Sequence, residues 1–312
     1  MKALLFPGQG SQSVGMGSEF YKNFDIVKKI FKEADEKLGF KISKIILDGP
    51  DTDLKLTKNT QPAILIISYS IFKVLQNELN LDLKKIKYFI GHSLGEYSAL
   101  VCANSLKFED ALYLLHERGK AMQEAVPVGE GSMLAVLGIK IDDVQNYLSK
   151  LSKNKICEIA NDNADGQIIL SGKKDAVDEL KDILKINKVK NITLPVSAPF
   201  HCSLMKSAAD KMEKKINPVI FKVPSLEIIS NVTASPENDP NKIKKLLVDQ
   251  IYTKVRWRES IINVSKDGIF DFIEIGPGKV LSGLVKRIIK DSNVKSVNSI
   301  NEAKDTLNEF QK

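Results

Sequence analysis

The sequence predicts an α/β protein in which a large α/β domain carries a smaller, inserted ferredoxin-like unit. Three observations lead there. Short apolar runs alternate with helical periodicity from Lys2 to Ala125, the pattern of strands and helices layered about one sheet. From Met133 to Val196 the order becomes strand, helix, strand, strand, helix, strand, which is the βαββαβ order of a ferredoxin-like unit. After Pro199 the first pattern resumes, so the middle segment interrupts one domain rather than following it. Residues 1–127 and 199–312 are assigned to the large domain and 128–198 to the small one.

Taken in order, Lys2 to Phe6 is too short for a secretory segment and reads as a first strand before Pro7-Gly8. The amphipathic stretch from Phe20 to Leu38 predicts a helix, as does Gln61 to Leu79. Within the latter, the charge-free run Ala63 to Phe72 falls well short of the roughly 20 apolar residues of a membrane span and reads as buried. Lys87 to Ile90 is a brief strand, and the spacing of Leu94, Tyr97, Leu100 and Val101 is helical, so Gly91 to Gly95 is a strand-to-helix turn. The small unit comprises strand Met133 to Ile139, helix Ile141 to Leu151, strands Ile156 to Ala160 and Gln167 to Leu170, helix Asp175 to Ile186 and strand Lys190 to Val196. In the last third, strand Leu226 to Ser230 precedes helix Ile243 to Tyr252, and strand Phe270 to Ile275 runs through Gly276-Pro277-Gly278 into another helix.

Composition narrows the function. A chain of 312 residues, 43% hydrophobic and 27% charged, is neither a disordered tail nor a disulfide-stapled mini-protein. Cys102, Cys157 and Cys202 are odd in number and widely spaced, against a disulfide framework or zinc site and for a cytoplasmic protein. The net charge of +7 comes from scattered Lys, without an aromatic-interleaved basic stripe or a recognition helix. Nucleic acid is therefore excluded as a partner, and an acidic protein stays open.

Two glycine-rich turns are not phosphate loops. Gly8-Gln9-Gly10-Ser11-Gln12-Ser13 lacks the third glycine of a dinucleotide fingerprint, and Met16, not Lys, follows Gly15. Such a turn still offers backbone N–H groups to an anion. Gly91-His92-Ser93-Leu94-Gly95, by contrast, is G-x-S-x-G at a strand-turn-helix junction, the setting in which a sharp turn exposes a nucleophilic serine. A serine needs a base, and three histidines are available. His92 is adjacent to Ser93 and points elsewhere, and His116 lies on an amphipathic helix, which leaves His201. No Asp or Glu is singled out by spacing as an orienting acid. Among 46 basic residues only Arg118, Arg256, Arg258 and Arg287 are Arg, and a guanidinium's planar fork matches a carboxylate as Lys cannot.

The string Gly91 to Tyr97 resembles the malonyl-CoA:acyl-carrier-protein transacylase family. So do Phe6 to Gln12, Thr60-Gln61-Pro62-Ala63, Arg118-Gly119, Gln167 to Gly172, Ala198-Pro199-Phe200-His201 and Ile275 to Gly278, in order along essentially the whole chain. The resemblance implies a hydrolase-like α/β domain with the ferredoxin-like insert. It implies Ser93 as nucleophile, His201 as base, Arg118 as clamp for the malonyl carboxylate, and Gln250 as the residue whose main-chain carbonyl orients His201. By the same resemblance Gln9 joins the backbone N–H of Leu94 as the oxyanion hole, the latter placed by the turn itself. Phe200 is expected to obstruct a branched methylmalonyl group, and Asn161 and Asn163, ahead of the strand holding Gln167, to reach the site from the small domain.

The expected activity is ping-pong transfer of malonyl from malonyl-CoA to the phosphopantetheine thiol of acyl carrier protein, feeding fatty acid synthesis, with no metal or redox cofactor. Carrier proteins are acidic, so a transient electrostatic encounter with a monomeric enzyme is expected. Two other classes stand beside it: a serine esterase or thioesterase with the same turn, and a non-catalytic module that docks carrier protein.

Overall fold

The structure, a computed structural model, describes residues 1–196 and 198–311. Its strands in chain order are β1 (Lys2–Phe6), β2 (Ile86–Gly91), β3 (Gly131–Leu137), β4 (Cys157–Ala164), β5 (Gln167–Lys173), β6 (Lys190–Thr193), β7 (Glu227–Ile229), β8 (Pro236–Glu237), β9 (Asp271–Ile275) and β10 (Asn293–Val297). A large sheet of order β10-β9-β1-β2-β7-β8 is parallel except at the β7–β8 edge. A small sheet of order β4-β5-β3-β6 is antiparallel. The molecule is thus a large α/β domain with a ferredoxin-like insert.

Both faces of the large sheet are covered, which is why β1 and β2 read as nearly unbroken apolar runs. Leu4, Phe6 and Phe89 join the core formed with helices Thr57–Asn77 and Phe108–Glu124. Ala3, Leu5, Tyr88 and Ile90 share a second core with Trp257, Ile261 and Leu281. The small sheet divides the same way. Leu134, Val136, Ile168 and Leu170 pack with Val177, Leu180 and Leu184 of helix Lys174–Ile186, while Met133, Ala135 and Ile169 join the main core. Because strand side chains alternate, one face of the insert serves its own helices and the other turns toward the large domain.

Strand β4 ties the small sheet to the large domain through the segment leading into helix Trp257–Lys266. The Val255 N–H donates to Ala160 O at 2.8 Å and the Asp162 N–H to Val255 O at 3.0 Å. Arg258 grips the Asp162 carboxylate through Nε (2.9 and 3.2 Å) and Nη2 (2.9 Å).

Several elements differ from their sequence pattern. Phe20 to Leu38 is two helices, Ser18–Asn23 and Asp25–Leu38, because Phe24 is extended (φ −127°, ψ 121°) and serves as C-cap of one and N-cap of the other. Asp25 then lies in a first turn, where a negative charge suits the helix dipole. The strand expected to stop at Ala160 continues to Ala164, its Asn-Asp-Asn stretch held by β5 and Val255 against poor strand propensity. Helix Ile141–Leu148 ends one turn early. Helices Lys206–Ile216, Trp257–Lys266 and Ile300–Gln311 and strand β10 have no counterpart in the sequence reading. Cys102, Cys157 and Cys202 are buried and free. Among the described residues no helix is long and apolar enough to cross a membrane.

Candidate active site

The turn between β2 and helix Gly95–Cys102 closes because two positions carry no side chain. A Cβ on Gly91 would lie 2.0 Å from the Gly95 carbonyl carbon, and one on Gly95 would lie 2.2 Å from Phe6 O. Between them Ser93 is held at φ 54°, a left-handed conformation that a non-glycine residue adopts only when its surroundings impose it. Asn231 imposes it from both sides. Its Oδ1 accepts the Ser93 N–H at 2.7 Å, and its Nδ2 donates to Gly91 O at 2.7 Å.

Ser93 Oγ lies 2.8 Å from His201 Nε2, and His201 Nδ1 lies 2.8 Å from Gln250 O. A carbonyl only accepts, so Nδ1 carries the proton and Nε2 is the free lone pair facing the hydroxyl. Burial, then the nearby Arg118 charge, lowers the His201 pKa to about 3, which keeps this imidazole neutral. The hydroxyl therefore donates to a ready base.

Arg118, buried on helix Phe108–Glu124, approaches the same oxygen. Its Nη2 donates to Ser93 Oγ at 3.2 Å and to Gln250 Oε1 at 2.8 Å, and its Nη1 donates to Gln61 Oε1 at 2.8 Å. Its Nε is buried without a partner. Among the described residues no carboxylate pairs with Arg118, so this is no surface ion pair on a helix. Gln250 is buried as well, and its side chain donates from Nε2 to Ser93 O (3.0 Å) and Glu96 Oε2 (2.8 Å).

These groups open on a cavity of about 420 Å³. Gln9, Leu94, Phe200, Asn161 and Asn163 all line it, so the structure gathers every sequence-assigned residue except Gln250, which lies just behind the wall. The Leu94 N–H has no acceptor among the described residues, whereas the neighbouring Ser93 N–H is occupied by Asn231. Asn161 and Asn163 lie within β4, the strand ahead of β5 and its Gln167. Asn163 Oδ1 meets His92 Nε2 at 2.9 Å, so His92 faces the small sheet across the cavity wall, its ring against Trp257. His116 stands apart, its Nδ1 donating to Lys58 O at 2.9 Å. No carboxylate lines the cavity among the described residues, and Arg118 is its buried cation. The arrangement can activate a serine, receive an oxyanion and hold a negatively charged acyl group.

Three participants escaped the sequence reading. Gln61 and Glu96 lie inside quoted motif strings, but polar residues in a pattern do not disclose their partners. Asn231 follows a short strand with no spacing signal at all.

The acyl transferase domain family matches residues 3–312. A malonyl CoA-acyl carrier protein transacylase of Bacillus subtilis is 42% identical over 98% of this chain and 97% of its own length. That of Escherichia coli is 38% identical over 95% of each. Among solved structures, an acyl-carrier-protein S-malonyltransferase from Bartonella henselae superposes with TM-score 0.97 at 42% identity, covering 100% of both chains. A malonyl-transacylase in complex with a type II PKS acyl-carrier protein superposes with TM-score 0.95 at 37% identity, covering 98% of this chain and 99% of that one.

Proposed function

Because the chain belongs to the acyl transferase domain family, as one of its malonyl-CoA:acyl-carrier-protein transacylases, we propose that the gathered residues carry out malonyl transfer in two half-reactions through a malonyl-serine ester. The Ser93 hydroxyl gives its proton to His201 Nε2 while Oγ bonds to the thioester carbon. The tetrahedral oxyanion rests on the Leu94 and Gln9 backbone N–H groups, a pair of donors in which each is worth roughly 10²- to 10³-fold in rate. Collapse breaks the C–S bond, and the leaving sulfur takes the proton from His201. In the second half the carrier's phosphopantetheine thiol loses its proton to His201 and attacks the ester, and Ser93 Oγ departs with that proton.

Arg118 holds the malonyl carboxylate through both halves. Its site favours a carboxylated acyl group because its guanidinium is buried among neutral amides with no carboxylate in direct contact. Each hydrogen bond to a charged group contributes about 1.5 to 3 kcal/mol, or roughly 10- to 150-fold in selectivity. Gln250 orients His201 by its carbonyl, and Phe200 narrows the cavity against a branched acyl group. His92 and Asn163 fix the wall opposite, with Asn161 beside them.

Every group in these steps comes from the chain or the thioesters, so no metal or redox cofactor is invoked. We place the reaction in the cytoplasm of the cell, with the enzyme a monomer supplying fatty acid synthesis. The observation that carries the reading is the Gln250–His201–Ser93–Arg118 chain of contacts. Intact mass after mixing with malonyl-CoA tests it: a malonyl adduct on Ser93 that is discharged by pantetheinylated carrier protein is expected. Steady release of free malonate without carrier would instead identify a thioesterase, and no adduct at all a binding module.

A further inference from the structure

We propose that Glu96 is a positioning residue for malonyl selectivity, fixing the side-chain amide of Gln250 so that its oxygen, rather than its NH₂, faces Arg118. The inference rests on the malonyl-transfer reading above and lies one residue behind it. The two ends of an amide have nearly the same shape and differ in whether they accept or donate. At Gln250 the Nε2 end meets three acceptors, Glu96 Oε2 at 2.8 Å, Ser93 O at 3.0 Å and, at the longest reach, Asn231 Oδ1 at 3.5 Å. The Oε1 end accepts from Arg118 Nη2 at 2.8 Å. Turned over, the amide would set NH₂ against guanidinium and oxygen against oxygen.

Glu96 is well suited to prevent this. It is 3% exposed, in the first turn of the helix that follows the nucleophile, and its Oε2 is pinned by the Asn231 N–H at 3.1 Å. Burial lifts its carboxyl to about 7, yet a proton on the other oxygen leaves Oε2 an acceptor, so the brace works in either form. The amide between them also keeps Glu96 from pairing directly with Arg118. A direct ion pair would neutralise the charge that the substrate carboxylate needs.

The test compares kcat/KM for malonyl-CoA and acetyl-CoA, with pantetheinylated carrier as acceptor, in the parent, Glu96→Ala and Glu96→Gln. Glu96→Ala is expected to lower malonyl kcat/KM by about tenfold, chiefly through KM, and acetyl by less than about threefold. Glu96→Gln, which keeps an acceptor oxygen, is expected to restore most of the malonyl-to-acetyl ratio. Equal losses for both substrates, an unmoved ratio in Glu96→Ala, or a Gln variant no better than Ala would each overturn the inference. If Glu96→Ala does not fold, Glu96→Asp, which withdraws the oxygen by one methylene, takes its place with the same readings. A parent that takes no malonyl onto Ser93 would count against the function itself, whereas an intact parent with unmoved variants counts against Glu96 alone.

Discussion

Arg258 and Arg118 place guanidinium groups in two regions of the molecule with opposite surroundings. At the joint between the small sheet and the large domain, Arg258 lies across a fully buried Asp162 carboxylate, its charge matched within the fold. In the cavity, Arg118 is more deeply buried, yet its N–H groups meet only amide oxygens and a hydroxyl, and its guanidinium lies 5.9 Å from the Tyr97 ring centroid. Burying a charge without a counter-ion is costly, and dipoles offset that cost only in part. The contrast separates a guanidinium whose charge is matched within the fold from one with no carboxylate in contact, as the proposed malonyl clamp requires.

The sharpest break would come at the oxygen that Arg118 faces. Ser93→Ala should abolish the covalent malonyl adduct seen by intact mass while leaving the fold unchanged by circular dichroism. Next in size, Arg118→Ala should cut the malonyl-to-acetyl ratio in kcat/KM by roughly 10- to 150-fold while some acetyl transfer survives. An unchanged ratio would remove the distinction between the two arginines. Arg258→Ala should do the converse. It uncovers a buried carboxylate at a cost of about 3 kcal/mol, seen as a melting temperature lower by several degrees, and leaves the ratio alone.

The smallest expected effect is a missing one. With the His201 pKa lowered to about 3, Ser93 acylation should stay level where an ordinary histidine, near 6.5, would lose its free base. An inflection near 6.5 that is retained in Glu96→Gln would mean that the base titrates normally. The same depression affects stability. The unfolded histidine binds a proton near 6.5 that the folded one refuses, so this contribution to stability is lost as pH falls from about 6.5 toward 3.

How legible these two regions were from sequence differs for a physical reason. The turn around Ser93 announces itself because backbone crowding at Gly91 and Gly95 demands residue types that stand out in a string. The insert's strands β3 and β5 show because Val, Ile and Leu at those positions fit a half-buried pleat. The joint hides, since Asn161 to Asn163 are poor strand formers that a distant segment, at Val255, recruits into a ladder. Phe20 to Leu38 looks like one helix because both pieces keep an apolar face, and nothing in that periodicity marks the extended Phe24. The side chain of Gln250 was hidden for a further reason. Its main-chain role could be inferred from resemblance, but its amide's partners come from three separate elements that only folding brings together.

The three cysteines have a practical bearing on a reaction that trades one thiol for another. Each of the three is buried, Cys202 next to His201 included. The folded enzyme should therefore stay dark to a chromogenic disulfide reagent, so that coenzyme A released in the acylation burst colours the solution against a blank background, and later protein colour would signal denaturation.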